Sequence, residues 1–372
     1  MEFRIKRNLF LNGIQKTLGI VEKKTTMPIL NNILIRTEEG RIKIVATDKE
    51  LGLISRYEAD IVKPGDITLS AKKLYEMIRE LQGEDIHVVT SENHQVTMTA
   101  QKVLYKIHGL PSDEFPNVLE SDDIPFYKIQ GQVLRDLIRK SSFAVSTDEM
   151  RVNLNGVFFE TEVSVNGPRL KMSATDGHRL AMAYSQPGEH GGLILEKGII
   201  IPRKGLLEIR KLVEDETEDV LIGTDHGMFF VKTKDTTLKV SLIDGEYPDY
   251  RRVIPLDKGT MLRFNKQVVL HALKRMNVMS SDRYNGVIMT LSDNRLILNS
   301  TNPDVGEAND EIEVSYEGEE LRVGYNVNYL IDAIDVLDDE DVLFEMRAGM
   351  KPGMVRAVGD DHYACVVMPL KV

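Results

Sequence analysis

Ser173, Asp176 and His178 lie close together in the stretch Ser-Ala-Thr-Asp-Gly-His-Arg-Leu-Ala, Ser173 to Ala181. A hydroxyl, a carboxylate and an imidazole are the parts of an acyl-transfer triad, provided that the base can reach the nucleophile. Alternation of side chains along the strand that ends at Ser173 leaves that reach open, and no Gly-x-Ser-x-Gly elbow occurs in the chain. The same residues also read as a turn. Asp176-Gly177 is a strong turn dipeptide, with Gly free to take positive φ. His178 and Arg179 would then project beside the apolar Leu180. The residues favour the turn, and a hydrolase centred on His178 is the competing reading.

Other chemistries have less support. Lys23-Lys-Thr-Thr26 lacks the glycines of a phosphate-binding loop. The eight histidines are scattered without zinc-ligand spacing. The acidic run Asp338–Asp341 lacks the pattern of a calcium loop. No metal and no cofactor is expected. Cys365 is the single cysteine and cannot form an internal disulfide, which suits a reducing cytoplasm. The N-terminus alternates apolar and charged residues rather than forming a signal peptide, and no apolar run approaches the roughly 18 residues that span a bilayer. The formal net charge is −11, which disfavours nucleic-acid binding unless basic groups are segregated on one surface.

The turn recurs. Ala46-Thr-Asp-Lys-Glu-Leu51 lies about 128 positions before it and Ser300-Thr-Asn-Pro-Asp304 about 126 after it, each behind an alternating strand. The flanks recur too. Ile67–Leu74, Ile199–Leu206 and Leu321–Asn328 each run an apolar strand into a helical pattern, as in the stripe Leu74, Met77, Ile78, Leu81. A second amphipathic helix opens each copy, marked by Phe10, Ile14 and Leu18, by Val133, Leu134, Leu137 and Ile138, and by Val269, Leu273 and Met276. The expected fold is α+β: three repeated domains of two helices and short antiparallel strands, at residues 1–121, 126–251 and 257–372.

Leu154-Asn-Gly156, Ala174–Ala181, Gly245–Val253 and the terminal Val366-Val-Met-Pro369, in that order and with the threefold repeat, resemble the bacterial DNA polymerase III beta subunits, the sliding clamps. The resemblance spans essentially the whole chain. It implies a processivity factor without catalytic activity: a head-to-tail homodimer whose six domains form a ring around duplex DNA, with Tyr105 of one copy facing Val278 and Met279 of the other. It implies sequence-independent DNA contact through helices lining the hole. The expected contacts are Lys24, Lys72, Lys73, Arg79, Lys140, Arg203 and Lys204, supported by Arg135, Arg139, Arg210, Lys211, Lys266, Lys274 and Arg275. Two features depart from this pattern. The helix expected from Asn326 to Leu337 carries Asp332 and Asp335 without Lys or Arg, and Val152 and Asn153 stand where some family members have aromatic residues that touch DNA.

The resemblance also turns the opening stretch into a peptide-binding cleft. It would be made by Leu154, Thr175, Gly177, His178, Arg179, Leu180, Pro248, Arg252, Val253, Val366, Val367, Met368, Pro369 and Leu370, with Asn326, Tyr329 and Met350 at the rim. The implied occupants are short motifs of the replicative polymerase, the clamp loader, other DNA polymerases, mismatch-repair proteins and ligase. The terminal Leu370-Lys-Val372 departs from the family's usual Met-Arg-Leu, so partner preference is expected to differ while the site persists. A repeat scaffold that binds proteins but no DNA is the remaining alternative.

Overall fold

The structure is a computed structural model that describes residues 1–21, 27–118, 120, 124–214, 218–280, 285–359 and 361–371. The expected DNA contact Lys24 falls outside the described residues. The first repeat runs β1 (Glu2–Lys6), α1 (Arg7–Thr17), β2 (Asn32–Glu38), β3 (Arg41–Thr47), β4 (Leu51–Glu58), β5 (Asp60–Lys63), β6 (Asp66–Ser70), α2 (Ala71–Glu80), β7 (Asp85–Thr90), β8 (Gln95–Ala100) and β9 (Val103–His108). The second has β10 (Tyr127–Gln130), α3 (Gly131–Ser141), β11 (Gly156–Ser164), β12 (Gly167–Thr175), β13 (Arg179–Tyr184), β14 (Ile199–Pro202), α4 (Arg203–Glu214), β15 (Asp219–Asp225), β16 (Met228–Lys232) and β17 (Thr236–Ser241). The third has β18 (Thr260–Asn265), α5 (Lys266–Asn277), β19 (Gly286–Ser292), β20 (Arg295–Asn302), β21 (Gly306–Glu313), β22 (Leu321–Asn326), α6 (Val327–Asp335), β23 (Asp341–Met346), β24 (Gly353–Ala357) and β25 (Tyr363–Val367). The order is the same three times, apart from the extra β5.

One detail shows that these are true repeats. An isolated antiparallel bridge closes each copy: Thr68 to Leu110, Ile200 to Ile243 and Gly324 to Leu370. In every case the first residue lies three positions before the start of a helix. The C-terminal Leu370 therefore occupies the place from which the other copies run on into the next repeat.

Each helix follows a strand without a loop and turns its apolar stripe inward. Leu74 and Ile78 of α2, Val133, Leu134, Leu137 and Ile138 of α3, and Val269, Leu273 and Met276 of α5 are all buried, as the 3.6-residue period requires. Leu18 and Leu81 fall just past the ends of α1 and α2. The last helix is shorter than the sequence pattern suggests. Asn326 caps it, its Oδ1 accepting the Asn328 N–H at 3.0 Å, and Val336 ends it.

By contact the chain divides into two units, Met1–Gly131 with Leu207–Leu242, and Gln132–Leu206 with Ile243–Val372. The division cuts through the second repeat because main-chain ladders cross the repeat boundaries. In the first unit β17 pairs with β4, from Thr236 opposite Ser55 to Val240 opposite Leu51, giving the eight-stranded order β10-β15-β16-β17-β4-β3-β2-β6 beside a sheet β5-β1-β7-β8-β9. Phe3 and Phe10 meet edge-on in its core, where α1 packs against α2. In the second unit β25 pairs with β13, from Tyr363 opposite Ala183 to Val367 opposite Arg179. The order there is β14-β11-β12-β13-β25-β24-β23-β18, beside a sheet β21-β20-β19-β22. Helix α5 packs against α6.

The two faces of α5 should respond differently to truncation. Leu273→Ala, at a fully buried position, should lower stability by about 2–5 kcal/mol. Lys274→Ala, whose side chain is 56% exposed, should change it by less than about 0.5 kcal/mol. Denaturant unfolding of the two variants checks the difference.

Candidate peptide-binding cleft and basic surface

The turn after β12 decides between triad and turn. Thr175 Oγ1 donates to the Arg179 carbonyl at 2.6 Å and accepts the Gly177 N–H at 3.1 Å, while Asp176 Oδ1 accepts the Arg179 N–H at 3.0 Å. The first repeat makes the same bonds 128 residues earlier. Thr47 Oγ1 donates to the Leu51 carbonyl at 2.7 Å and accepts from Lys49 at 3.0 Å, and Asp48 Oδ1 accepts from Leu51 at 2.6 Å. The residue after the Asp has positive φ in both, +82° at Lys49 and +90° at Gly177, which glycine adopts at least strain. The third repeat carries Asn302 instead. Its Oδ1 accepts the Asp304 N–H and its amide donates to the Met279 carbonyl at 2.8 Å.

The triad parts therefore serve a turn. Ser173 is fully buried within β12, opposite Met182. The Asp176 carboxylate accepts the His178 and Arg179 N–H groups and pairs with the Arg179 guanidinium at 3.1 Å. The His178 ring stacks on Tyr329, centroids 6.3 Å apart. Among the described residues no hydrogen bond joins the imidazole to Ser173 or to the Asp176 carboxylate.

Beside this turn is a cavity of about 190 Å³, lined by Leu154, Thr175, Gly177, Arg179, Leu180, Pro248, Asp249, Tyr250, Val253, Val366 and Met368. Sheet register builds it: Leu180 lies opposite Val366 across the β13–β25 ladder, so both side chains share one face. Asp249 and Tyr250 were not anticipated. Tyr250 could have been found from Tyr247-Pro-Asp-Tyr250, which repeats Phe115-Pro-Asn-Val118.

The other expected cleft residues lie around the cavity or behind it. Val367 is fully buried, because alternation along β25 sends it to the opposite face from Val366. Pro369 is also buried, and Leu370 is 40% exposed beside its bridge to Gly324. Arg252 is exposed and paired with Asp249 at 3.0 Å. Asn326 caps α6, and Met350 is exposed on the loop before β24.

Arg179 gives the cleft one rigid wall. Its side chain is 10% exposed, with Nη1 2.6 Å from Asp332 and Nη2 donating to the Phe143 carbonyl at 2.7 Å. Its guanidinium lies over the Phe143 and Tyr329 rings. Burial works against its charge, but Asp332 and Asp176 outweigh burial and hold its pKa above the ordinary arginine value. Asp332 on α6 thus pairs with a cleft residue.

The basic residues fall into two sets. On α2, the Lys72, Lys73 and Arg79 side chains are 81%, 67% and 57% exposed. Arg203, Arg210 and Lys211 of α4 are exposed, and Lys204 is half-buried. Lys140 is only 19% exposed and lies 3.6 Å from Asp338, which Arg139 also holds at 2.6 Å. Lys266 donates to the Asp335 carbonyl at 3.0 Å at the end of α6, Lys274 lies 3.9 Å from the Asp335 carboxylate, and Arg275 binds Asp310 at 2.7 Å. The cations of α3 and α5 therefore serve internal contacts more than those of α2. Arg135 is half-buried on α3. Tyr105 is half-buried on the edge strand β9, Val278 is exposed just after α5, and Met279 beside it is half-buried.

Family models of the DNA polymerase III beta subunit match three consecutive segments: the N-terminal domain at residues 1–119, the central domain at 128–249 and the C-terminal domain at 251–371. The chain belongs to this family. It is a beta sliding clamp, a non-catalytic processivity subunit of DNA polymerase III in DNA replication. The beta sliding clamps of Vibrio cholerae and Pseudomonas aeruginosa are 31% and 32% identical to it over all of both chains. Among solved structures, the Caulobacter crescentus clamp superposes with a TM-score of 0.93 at 32% identity, covering 100% of this chain and 99% of that one. The Bartonella birtlesii clamp, solved bound to griselimycin, gives 0.93 at 31% identity over all of both chains. No helix among the described residues is long and apolar enough to cross a membrane.

Beneath the cleft, burial pushes the Cys365 thiol up to about 12, against about 8.5 in an unfolded chain. The neutral thiol is the nucleophile's inactive form. Native protein at pH 8 should react with iodoacetamide far more slowly than protein in denaturant. The group also favours the fold at low pH and loses that contribution as pH rises from about 8.5 toward 12. Mass spectrometry of the alkylated protein reads the first effect.

Proposed function

We propose that two copies of the chain join head to tail into a six-domain ring around duplex DNA in the cytoplasm. In this ring the exposed cations of α2 and α4 attract phosphates, and the cleft takes short motifs of partner proteins. The observation that carries the dimer is that β9 and β21 each end a sheet, with one edge unpaired among the described residues. Within the chain, the last strand of one repeat twice pairs with the strand after the preceding repeat's Thr-Asp turn, β17 with β4 and β25 with β13. By the same rule β9 pairs with β21 of a second copy. A free edge of this kind invites such pairing.

The rule also supplies a register. Three residues before the bridge residues Leu110, Ile243 and Leu370 stand Ile107, Val240 and Val367. Val240 faces Leu51 and Val367 faces Arg179, each one residue before the hairpin partner of the turn threonine. In the third repeat that partner is Glu307. Ile107 then meets Gly306, Lys106 meets Glu307 and Tyr105 meets Ala308. The second pair sets opposite charges face to face.

DNA contact of this kind is sequence-independent, as sliding requires, and retention comes from encirclement rather than affinity. An apolar cavity of this size suits one or two Leu or Phe anchors, with roughly micromolar affinity once ordering costs are subtracted. Exchange among the replicative polymerase, clamp loader, other polymerases, mismatch-repair proteins and ligase follows from that weakness.

Three sets of measurements test the reading. Solution mass should be near twice 42.1 kDa, and a Lys106→Cys, Glu307→Cys variant should cross-link between copies on oxidation; a monomer, or no cross-link, overturns the interface. Loaded protein should stay on nicked circular DNA and leave once the DNA is linearised, and binding to open duplex should weaken steeply with salt. Deleting the last five residues, which removes Met368 and Leu370, should abolish binding of a Leu/Phe-anchored peptide and leave a folded dimer. Full-strength binding by the truncated protein would sink the cleft.

A further inference from the structure

We propose that Glu160, Lys171 and Tyr250 form a buried latch that positions the back wall of the cleft and thereby sets its affinity for apolar peptide anchors. The inference rests on the cleft reading above. Glu160 of β11 and Lys171 of β12 stand opposite each other in the ladder. Lys171 Nζ lies 3.7 Å from Glu160 and 2.9 Å from Glu162, with its side chain only 3% exposed. The Tyr250 hydroxyl donates to Glu160, whose other oxygen lies 3.2 Å from Arg251 Nη2. The Lys171 ammonium also sits over the Tyr184 and Tyr250 rings.

Tyr250 begins the single 3₁₀ turn Tyr250–Val253. Pro248, Asp249, Tyr250 and Val253 are the cavity lining on that side. One carboxylate thus grips two adjacent residues of the turn, of which Tyr250 lines the cavity. Burial alone would lower the lysine's pKa, but the two tyrosines and Glu162 outweigh it and keep the group charged.

Stability does not explain such a cluster, since well-packed apolar residues often replace buried ion pairs without loss. Fixed geometry does. The first repeat supplies an independent parallel: Lys43, 128 residues before Lys171, binds Glu120 at the end of the first repeat, which Arg56 also holds. Equivalent strands pin equivalent segments, and in the second repeat the pinned segment is a cavity wall.

The test uses the full chain, the variants Tyr250→Phe and Glu160→Gln and their combination, and a fluorescent five-residue peptide with adjacent Leu and Phe read by anisotropy. Both changes preserve shape, and the Phe keeps the apolar wall. Tyr250→Phe, which removes the donor, should weaken binding about fivefold, the worth of one hydrogen bond; Glu160→Gln, which keeps an acceptor oxygen but loses the charge facing Arg251 and Lys171, should weaken it less, and the double variant should bind no more weakly than Tyr250→Phe, because the two groups act through one contact. Melting temperatures should not follow affinity across the set. Unchanged affinity in both single variants, or losses that multiply in the double, overturns the latch while leaving the cleft. A wild-type chain that does not bind the peptide overturns the cleft and the latch with it.

Discussion

The main-chain ladders between repeats, β17 with β4 and β25 with β13, are the constraint from which the site follows. A strand at a sheet edge carries unpaired N–H and C=O groups that must find partners. The second and third repeats meet that need by lending their last strands to the sheet before them. Because side chains alternate with period two, the ladder also decides which residues share a face. With Arg179 opposite Val367, Leu180 and Val366 fall side by side on the cleft face while Val367 goes to the other core. A slip of one residue would exchange them.

The same backbone produces a different surface at the other junction. Gly52 stands where Leu180 stands, and Lys239 faces it where Val366 faces Leu180. Val118 takes the place of Tyr250 and packs into a core cluster with Leu30, Leu34, Val45, Ile54 and Phe115. A Cβ on Gly52 would come within 2.6 Å of the Val118 side chain. Small residues let the following segment settle directly on the sheet there. Leu180 and Tyr250 are larger, and a cavity lies among them. The repeat supplies the geometry, and three or four side chains decide what it presents.

This division marks what could be read from sequence. The three repeats, the helix stripes and the Thr-Asp turn were legible because they are local and periodic: Leu134 and Ile138 declare a helix face within one turn of chain. Pairings between distant residues were not. Nothing near Asp332 announces that it meets Arg179, 153 residues away, and the sequence alone made it a departure from the basic pattern of the other helices. Glu160 and Tyr250, 90 residues apart, were equally silent. The cleft lining came through family resemblance rather than spacing. Lys140 read as an open cation because its partner Asp338 lies on another repeat.

Charge completes the account. A net charge of −11 opposes approach to DNA only at distances where the whole molecule acts as one charge, and salt screens that beyond about 8 Å. At contact, local groups decide. The acids of α6 are engaged at home, Asp332 by Arg179 and Asp335 by Lys274. The cations of α2 stand in water, and their pairs with Glu76 and Glu80 are exposed contacts worth little, which leaves them open to other anions. In the proposed ring such weak partners are an advantage. A cation that exchanges freely between a carboxylate and successive phosphates attracts the duplex without fixing its position, and encirclement supplies the persistence that those contacts lack.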